Sequence, residues 1–531
     1  MHFARISGGQ PALPHAHLVS VEADLSRGLH AFSIVGLPDK AVEEARDRVA
    51  SAIKNTGLVS PKSTNKKIVI SLAPAELKKE GSAFDLPVAL AYLLAAGDIA
   101  FDPAGKLFAG ELALDGTVRP IRGALSLALC ARATGLQELY IPAENADEAA
   151  LVSGITIIPV HTLGELLAHM HGEGASTRIA PHITNEGMEH RADDEPDLAD
   201  IRGQESAKRG LEIAIAGGHN IALFGPPGTG KTMLARTAAA LLPPLSEAEV
   251  IEVTTIHSLA GLLGKGAMRR PPFRAPHHTA SYPSIIGGGT IPRPGEVTLA
   301  HRGVLFMDEF PEFTRDVVNA LREPLEDAQV SVARARGSAT FPANFILIAA
   351  LNPCPCGHYG TRRCTCTPLA IERYRRKISG PIADRIDLWV QVGEIAPESL
   401  AQKNAARERQ SPAVRMRIQK ARGTQAARFT DRHDVSTNAD TGTLDVTVQT
   451  QFTEVSTTWF DVVHFTQIAG ASAAKVHVAK VNNSQAQAMY EVGTALTAGN
   501  IRNILGSSFR VSFVEASTAN VTLGVYYCAK S

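Results

Sequence analysis

Several common features are missing from this sequence of 531 residues, and each absence excludes a class of protein. No uncharged apolar run reaches the roughly eighteen residues of a membrane-spanning helix. The first residues, MHFARISGGQPALPHAHLV, do not place an apolar stretch after a basic one, so no secretory signal is predicted. The 53 basic residues balance the 53 acidic ones, and overall charge therefore indicates neither a nucleic-acid nor a membrane partner. We expect a cytoplasmic protein with no membrane association.

Cysteine is also scarce, with six residues in the chain, but four of them fall within one stretch. That stretch, NPCPCGHYGTRRCTC, holds Cys354-x-Cys356 and Cys364-x-Cys366 directly after an apolar run. In a reducing compartment a tight cluster indicates metal more often than disulfides. Four thiolates satisfy tetrahedral zinc, although C-x-C is tighter than the usual arm of a structural zinc site. The four cysteines are thus candidate zinc ligands, with free reduced thiols as the alternative.

Strand-like and helical segments alternate over most of the chain, whose length suits roughly three to four domains. An α/β domain is predicted for residues 1–172, where KKIVISLAP, LQELYIPAE and GITIIPV are strand-like. Residues 173–198 are poor in periodic apolar positions and are predicted to be a linker. A second α/β domain is predicted for residues 199–396, because NIALFG, GVLFMDE and NFILIAAL are separated by helical segments, as in a parallel sheet with crossover helices.

The character of the sequence changes toward the C-terminus. Residues 397–430 are rich in Ala, Arg, Gln and Lys and are predicted to form an exposed helical segment. Between residues 431 and 531 charged residues are sparse, and TGTLDVTVQTQF, AKVHVAKV, FRVSFVEAS and NVTLGVYYCA alternate like half-buried strands. This last region is predicted to be strand-rich, and its role is unknown from the sequence.

A phosphate-binding loop is predicted between an apolar strand and a helix, in NIALFGPPGTGKTMLA. The G-x-x-x-x-G-K-T pattern exposes backbone N–H groups and a helix N-terminus to phosphate oxygens. In such a loop Lys231 contacts the β- and γ-phosphates and Thr232 binds Mg²⁺, so ATP and Mg²⁺ are the expected ligands. The predicted residues of the loop are Gly225, Pro226, Pro227, Gly228, Thr229, Gly230, Lys231 and Thr232.

Polar residues follow the next two apolar strands and complete the predicted site. Asp308 and Glu309 end GVLFMDE, where Asp308 is placed to bind Mg²⁺ and Glu309 to polarise the attacking water. Asn352 ends NFILIAAL, and its amide would orient water near the γ-phosphate; a turn-forming asparagine is the alternative. Arg385, in GPIADRIDLWVQV, is the candidate for neutralising charge on the transferred phosphoryl group. An ordinary salt bridge with a neighbouring aspartate is the alternative for Arg385.

These motifs together resemble a known family. The chain contains DIRGQESAKRGLEIAIAGGHN, GPPGTGKT, FRAPHHTASYPSIIGGGTIPRPGEVTLAHRGVLFMDEF, LREPLED, RARGSATFPANFILIAALNPCPCG and YRRKISGPIADRIDL. This set resembles the magnesium-chelatase-like AAA+ ATPases called the YifB or ComM family. The resemblance covers roughly residues 1–430 and is very specific from about 200 to 395.

The resemblance carries functional expectations of its own. It implies a hexameric ring with ATP held between subunits, in which Arg385 acts in trans and Asn352 is the sensor-1 residue. ComM members of the family are DNA branch-migration helicases that promote integration of incoming DNA during natural transformation. DNA, bound without sequence preference, is therefore the expected partner.

Local basic clusters are compatible with DNA binding, although solvated surfaces explain most such clusters. In a ring, the segments 273–289 and 334–340 would face a central channel and follow a phosphate backbone. The basic residues concerned are Arg269, Arg270 and Arg274, Arg334 and Arg336, Arg362 and Arg363, and Arg373, Arg375, Arg376 and Lys377.

The N-terminal stretches KKEGSAFDLPVALAYLL and FAGELALDGTVRPIRGALSLALCARATGLQELYIPAEN resemble the proteolytic domain of Lon proteases. A Lon-type site needs a serine nucleophile and a lysine. Here the serine position falls on Ala83 and the lysine position on Leu125, and leucine cannot act as a base. We therefore predict an inactive Lon-like domain used for assembly or partner binding. Lys78, Lys79 and Glu80 are predicted to form a solvated turn.

Two alternative functions follow from the limits of the resemblance. In the family the ATPase core is followed by a small helical lid, and the residues after about 430 do not show that helical pattern. A nucleotide-binding scaffold with little or no turnover is therefore the first alternative. An ATPase that remodels a metal-insertion partner, as the chelatase-like core suggests, is the second.

Overall fold

The structure, a computed structural model, describes most of the chain as far as residue 430 and four strands beyond it. These residues group into two compact units, one formed by residues 1–382 and 386–418 and the other by residues 383–385 and 419–531. The described residues are 2–13, 15–171, 178–183, 196–264, 266–288, 293–334, 337–359, 363–378, 380–394, 409–430, 446–450, 460–466, 475–482 and 485–491.

The N-terminal part is an α/β domain, as the alternating segments predict. Short 3-10 helices at Pro61–Ser63 and Ala143–Asn145 connect its longer elements. Those elements are β1 (Phe3–Gln10), β2 (His17–Arg27), β3 (Ala31–Val35), α1 (Lys40–Asn55), β4 (Lys66–Ala73), α2 (Asp85–Ala96), β5 (Lys106–Phe108), β6 (Glu111–Leu112), β7 (Val118–Arg119), α3 (Ala124–Ala133), β8 (Glu138–Pro142), α4 (Ala146–Ala149), β9 (Thr156–Val160) and α5 (Leu163–His171).

Two sheets organise this domain. The four-stranded sheet has the order β1-β2-β4-β3, in which only the β3–β4 pair is parallel. Val19, Val21 and Leu25 of β2 are buried together, because alternate side chains of a strand point to the same face. Helix α2 packs against this face, and almost all of its residues are buried. The second sheet, β5-β8-β9, is parallel and packs its apolar residues against α3.

The next part of the chain contains a second α/β domain. Short 3-10 helices lie at Leu198–Asp200 and Phe310–Glu312. The longer elements are α6 (Glu205–Gly217), β10 (Ile221–Phe224), α7 (Lys231–Leu241), α8 (Glu247–Ala260), β11 (Phe273–Arg274), α9 (Tyr282–Ile286), β12 (Gly287–Gly288), β13 (Arg293–Pro294), α10 (Glu296–Leu299), β14 (Val304–Met307), α11 (Arg315–Ala320), α12 (Arg322–Asp327), β15 (Gln329–Arg334), β16 (Gly337–Pro342), β17 (Ile346–Leu351), α13 (Pro368–Arg375), α14 (Gly380–Ala383), β18 (Leu388–Gln391) and α15 (Ser411–Thr430).

A five-stranded sheet with the order β11-β14-β17-β10-β18 forms the centre of this domain, and all of its pairs are parallel. The predicted parallel sheet is thus confirmed. Every residue of β14 and β17 is buried, as expected for strands covered on both faces. Leu347 and Ala349 face one apolar core, and Ile346 and Ile348 face the other. The loops that follow β10, β14 and β17 meet at the carboxyl edge of the sheet, where open α/β sheets bind ligands.

The two α/β domains contact each other within the first unit, through the start of α3 and the end of α8. The backbone N–H of Gly123 donates to Ser258 Oγ at 2.9 Å. A Cβ on Gly123 would lie 2.6 Å from Leu259 Cδ2, and one on Gly261 would lie 2.7 Å from Arg122 Nε. Both glycines have a positive φ, so the close approach depends on the absence of a side chain at each position.

The C-terminal region contains a four-stranded antiparallel sheet, in agreement with the strand-like pattern. Its strands are β19 (Val446–Thr450), β20 (Phe460–Thr466), β21 (Lys475–Asn482) and β22 (Gln485–Glu491), in that order. The predicted strands FRVSFVEAS and NVTLGVYYCA lie outside the described residues, as do residues 397–408 and most of the predicted linker. No helix in the described ranges combines the length and hydropathy that a bilayer span requires.

Candidate nucleotide-binding site

The predicted phosphate-binding loop joins β10 to α7 at the carboxyl edge of the parallel sheet. Gly228 and Gly230 have φ values of 79° and 89°, in the left-handed region that glycine tolerates. No atom lies within 4 Å of the position that a Cβ would take at either residue. The backbone here is therefore open to a ligand. The first N–H groups of α7 have no intrahelical acceptor, which makes this helix start suited to an anion.

Gly225 anchors the loop to the neighbouring strand. Its N–H donates to Leu351 O at 3.2 Å, and a Cβ on Gly225 would lie 2.0 Å from Val392 O. No side chain fits at this distance, so glycine is required for the loop to leave β10 alongside the end of β18. Val392 N in turn donates to Phe224 O at 2.8 Å.

Lys231 lies at the centre of the site and is almost fully buried. Its Nζ donates to Gly225 O at 2.7 Å, to Pro226 O at 2.8 Å and to Asn352 Oδ1 at 3.2 Å. Burial lowers the pKa of Lys231, and the charge of Asp308 opposes that shift. The ammonium group is thus surrounded by oxygen acceptors, and it connects the predicted loop with the predicted asparagine.

Thr232 and Asp308 bring two oxygen ligands together beside Lys231. Thr232 Oγ1 donates to Asp308 Oδ2 at 3.0 Å, and Asp308 Oδ1 accepts from the N–H of Glu309 at 2.9 Å. A hydroxyl and a carboxylate are hard oxygen donors of the kind that Mg²⁺ uses beside substrate phosphates. Thr232 and Asp308 are therefore suitable ligands for the Mg²⁺ that the phosphate-binding loop implies.

Glu309 has an unusual backbone and an unexpected partner. Its φ of 50° and ψ of 43° place it in the left-handed region, which costs energy for a residue with a side chain. Its carboxylate is half-exposed, and Glu309 Oε2 lies 3.2 Å from His278 Nδ1. Sequence reasoning missed His278, because this residue follows the edge strand β11 and meets Glu309 only once β11 pairs with β14.

The segment after β17 contains the four cysteines, here called the cysteine loop (residues 352–367). Their sulfur atoms all lie within 4.8 Å of one another. The distance from Cys354 Sγ to Cys356 Sγ is 3.4 Å, and the distances from Cys364 Sγ to these two atoms are 3.9 and 3.7 Å. The four sulfur atoms therefore form one cluster, and zinc binding there stays a prediction.

The cysteine loop also contacts the phosphate-binding loop. Gly357 has a φ of 81°, and a Cβ on it would lie 2.6 Å from Pro227 Cδ. On the other side, the backbone N–H of Asn352 donates to the hydroxyl of Tyr374, and burial raises the pKa of Tyr374 to about 12. The two loops are therefore packed together at the edge of the sheet.

Arg385 belongs to the second unit and lies in the turn between α14 and β18. The structure of a single chain does not test a role that the resemblance assigns in trans, so this role stays a prediction. The remaining predicted residues of the site, from Gly225 to Thr232 with Asp308, Glu309 and Asn352, all lie at the carboxyl edge of one sheet.

Several arginines and lysines of the basic clusters are paired with carboxylates. Arg274 makes a bidentate contact with Glu296, at 2.6 and 2.8 Å. Arg269 Nη1 lies 3.1 Å from Glu247, and Lys377 Nζ lies 2.8 Å from Glu312. Arg336 and Arg362 lie outside the described residues. The carboxylates that pair with these basic side chains would compete with the phosphates of DNA for them.

The Lon-like positions contain no nucleophile and no base. Ala83 and Leu125 are both buried apolar residues. The predicted solvated turn is wrong for Lys79, which is completely buried and donates to the carbonyl of Pro74. Lys79 is buried because its backbone N–H donates to Leu37 O, which holds the turn against the segment that contains Leu37.

A parallel sheet with a glycine-rich loop and paired oxygen ligands at its carboxyl edge defines a P-loop nucleotide-binding protein. Residues 197–400 match the family model "Magnesium chelatase, subunit ChlI", and residues 21–145 match "Subunit ChlI of Mg-chelatase". YifB of Escherichia coli is 43% identical over 77% of this chain and 79% of its own length. Competence protein ComM of Haemophilus influenzae is 42% identical over 78% of this chain and 81% of its own length.

The chain therefore belongs to the YifB/ComM family of magnesium-chelatase-like AAA+ proteins. A more distant relative, the magnesium-chelatase 38 kDa subunit of Rhodobacter capsulatus, is 29% identical over 29% of this chain and 49% of its own length. Membership of this AAA+ family implies ATPase activity with ATP and Mg²⁺, and AAA+ proteins typically form oligomers.

Proposed function

We propose that this protein is an Mg²⁺-dependent ATPase that forms a hexamer and moves on DNA. The observation that supports the chemistry is the convergence of side chains from three strand ends. Lys231 reaches Asn352 at 3.2 Å, and Thr232 reaches Asp308 at 3.0 Å. Charge and hydrogen-bonding groups that follow β10, β14 and β17 thus meet where the first N–H groups of α7 are exposed.

Each group has a role that its surroundings suit. Lys231 exchanges its carbonyl acceptors in the loop for phosphate oxygens when ATP binds. Thr232 and Asp308 would hold Mg²⁺, and the bound cation would supply positive charge for the phosphate groups. Glu309, whose carboxylate is half-exposed, polarises the attacking water, and Asn352 orients it.

The charge that develops on the transferred phosphoryl group needs a further cation. We assign this role to Arg385 of a neighbouring subunit, because an arginine supplied in trans stabilises the transition state of many nucleotide hydrolases. The assignment requires an oligomer, and the hexameric ring follows from the family resemblance. Loss of turnover with retained nucleotide binding in Arg385→Ala would support it.

DNA as the partner rests on different observations. One relative is named a competence protein, and we extend to this chain the branch-migration activity that the resemblance to ComM members implies. The hairpin β15–β16 and the segment from β11 to β12 are the insertions that would line a central channel. Binding to phosphates there would be independent of sequence and would weaken with salt.

Steady-state ATPase measurements test both parts of the proposal. We expect turnover that Lys231→Ala abolishes through loss of ATP binding and that Glu309→Gln abolishes with ATP binding retained. Glu247→Gln, at a side chain that is 82% exposed, is the matched control. Branched or single-stranded DNA should raise the rate, and strand displacement should require hydrolysis.

Other outcomes of this experiment identify the alternatives. Nucleotide binding without turnover under any condition would indicate a scaffold. Turnover that no DNA stimulates would instead favour the second alternative, an ATPase that remodels a metal-insertion partner. Turnover unchanged in Lys231→Ala would remove the basis of the whole proposal.

The remaining parts of the proposal concern cofactor, domains and location. We assign Zn²⁺ to the four cysteines as a structural metal, since four thiolates leave no open coordination position. The domain division at residues 172, 198, 396 and 430 and the cytoplasmic location, predicted from the sequence, also belong to the proposal. Metal analysis, limited proteolysis and cell fractionation would test these three points.

A further inference from the structure

The four-cysteine cluster has the dimensions of a zinc site. Tetrahedral coordination with zinc–sulfur bonds of about 2.3 Å places the sulfur atoms about 3.8 Å apart. Three of the sulfur–sulfur distances here are 3.4, 3.7 and 3.9 Å. Direct disulfide bonds would require a separation of about 2.05 Å, which none of these pairs has.

Backbone groups of the cysteine loop are directed at the sulfur atoms. The N–H groups of His358 and Thr365 donate to Cys356 Sγ, and the N–H of Cys366 donates to Cys364 Sγ. Hydrogen-bond donors of this kind favour the thiolate form of a cysteine ligand. Backbone groups beside both cysteine pairs are therefore directed at the cluster.

Few described residues of the cysteine loop are buried. Among its described residues that follow Asn352, only Cys354 and Gly357 are buried. Tyr359 is about half exposed, with its ring 4.9 Å below the guanidinium of Arg375. A metal that crosslinks two short arms can order such a segment where apolar burial cannot.

The described part of the cysteine loop is in contact with the nucleotide site at two points. Gly357 lies against Pro227 so closely that a Cβ would be 2.6 Å from Cδ and 3.1 Å from Cγ of the proline ring. Asn352, which accepts from Lys231 Nζ, is only two residues before Cys354. The turn between these contacts is closed by the N–H of Gly357, which donates to Cys354 O at 2.9 Å.

We propose that zinc bound by the four-cysteine cluster positions the phosphate-binding loop and Asn352, so that nucleotide affinity depends on the metal. The inference rests on the proposed function in one respect, namely that ATP binds at this loop. Loss of the metal would release Gly357 from Pro227 and allow Asn352 to move away from Lys231. The backbone N–H groups of the loop and Lys231 would then no longer be held in place, so phosphate oxygens would be bound more weakly.

The test compares zinc content and nucleotide affinity in the full chain. Purified wild-type protein should contain about one zinc ion per chain, as a four-thiolate site implies. Cys356→Ser should lose zinc and bind a fluorescent ADP analogue about tenfold more weakly, the result expected if about one-tenth of the metal-free molecules keep the binding-competent loop. Cys130→Ser, in helix α3, is the control for the loss of a thiol and should change neither quantity. Circular dichroism would show that the variants remain folded.

A second pair of variants separates the contact from the metal. Gly357→Ala should keep its zinc yet weaken nucleotide binding, because the new methyl group would push Pro227 away. Gly57→Ala is matched to it, since Gly57 has a φ of 85° and no atom within 4 Å of a Cβ position. This control should bind nucleotide as the wild type does.

Each contrary result has its own meaning. A wild-type protein that neither contains zinc nor takes it up would overturn the assignment of the metal. Zinc-free Cys356→Ser with wild-type nucleotide affinity, or Gly357→Ala with wild-type affinity, would overturn the coupling while the proposed function stands. Zinc-loaded wild-type protein that binds no nucleotide would overturn the proposed function, and the coupling with it.

Discussion

Replacing Gly225 by alanine tests whether the fit of the phosphate-binding loop against β18 sets nucleotide affinity. In the structure a Cβ on Gly225 would lie 2.0 Å from Val392 O, whereas real Cβ contacts essentially never fall below 3.0 Å. The loop and the end of β18 must therefore separate by about 1 Å. The hydrogen bond from Val392 N to Phe224 O, now 2.8 Å long, would be stretched beyond its normal range.

The magnitude follows from these two changes. Overpacking a close contact costs about 1–3 kcal/mol, and a lost backbone hydrogen bond costs about 1 kcal/mol more. A destabilisation of about 2–4 kcal/mol would lower the melting temperature by about 4–16 °C for a domain of this size. The displacement should also weaken ATP binding, because the backbone N–H groups of the loop would no longer meet the phosphate oxygens together.

The assay measures thermal unfolding by circular dichroism and affinity by titration with a fluorescent ATP analogue. Gly393→Ala is the matched control, because Gly393 follows Val392 directly and has no atom within 4 Å of its Cβ position. We expect Gly393→Ala to resemble the wild type in both measurements. If Gly225→Ala proved indistinguishable from Gly393→Ala, the close packing of the loop would not control the site.

Three further predictions follow from individual contacts. Asp85→Ala removes a buried carboxylate that accepts from Arg48 at 2.6 and 2.9 Å. Urea unfolding should show a loss of about 3 kcal/mol in the free energy of unfolding, the low end for a buried pair because Arg48 is one-fifth exposed. Recovery of this free energy in Arg48→Met/Asp85→Leu would show that the unpaired charge causes the loss. His278→Ala should lower kcat about tenfold with KM for ATP unchanged, since His278 orients Glu309; a change confined to KM would contradict this. Thr232→Ala should raise the Mg²⁺ concentration needed for half-maximal turnover, and Thr232→Ser should not; equal values for the two variants would argue against a metal-bound hydroxyl.

The central sheet and its loops could be predicted because their sequence signals are local. The runs that became β10, β14 and β17 are apolar throughout, and each is followed by polar residues or glycines that end the strand. Parallel strands place their carboxyl ends at one edge, so Lys231, Asp308 and Asn352 could be expected to meet before any distance was known. The cysteine cluster was recognisable for the same reason, since its arms are close in the chain.

Other features depend on contacts between distant segments and had no local signal. His278 meets Glu309 because β11 lies beside β14, and the loop sequence APHH does not encode that neighbour. Lys79 stands in a polar stretch that suggests exposure, yet pairing of its backbone with Leu37 buries it. Arg385 has a predicted role between subunits, which neither one sequence nor one chain determines.

The contact between α3 and α8 has a consequence for the way this protein can be divided. Gly123 and Gly261 let the backbones of the two α/β domains approach so closely that Ser258 of the second domain accepts a hydrogen bond from the first. A protease cut between the domains would therefore leave two fragments that remain associated. Expression of either piece alone would expose apolar residues such as Leu259 to water. In evolution, a larger residue at Gly123 would require a smaller side chain at the end of α8. The sequences of the two domains are therefore expected to change together at this contact.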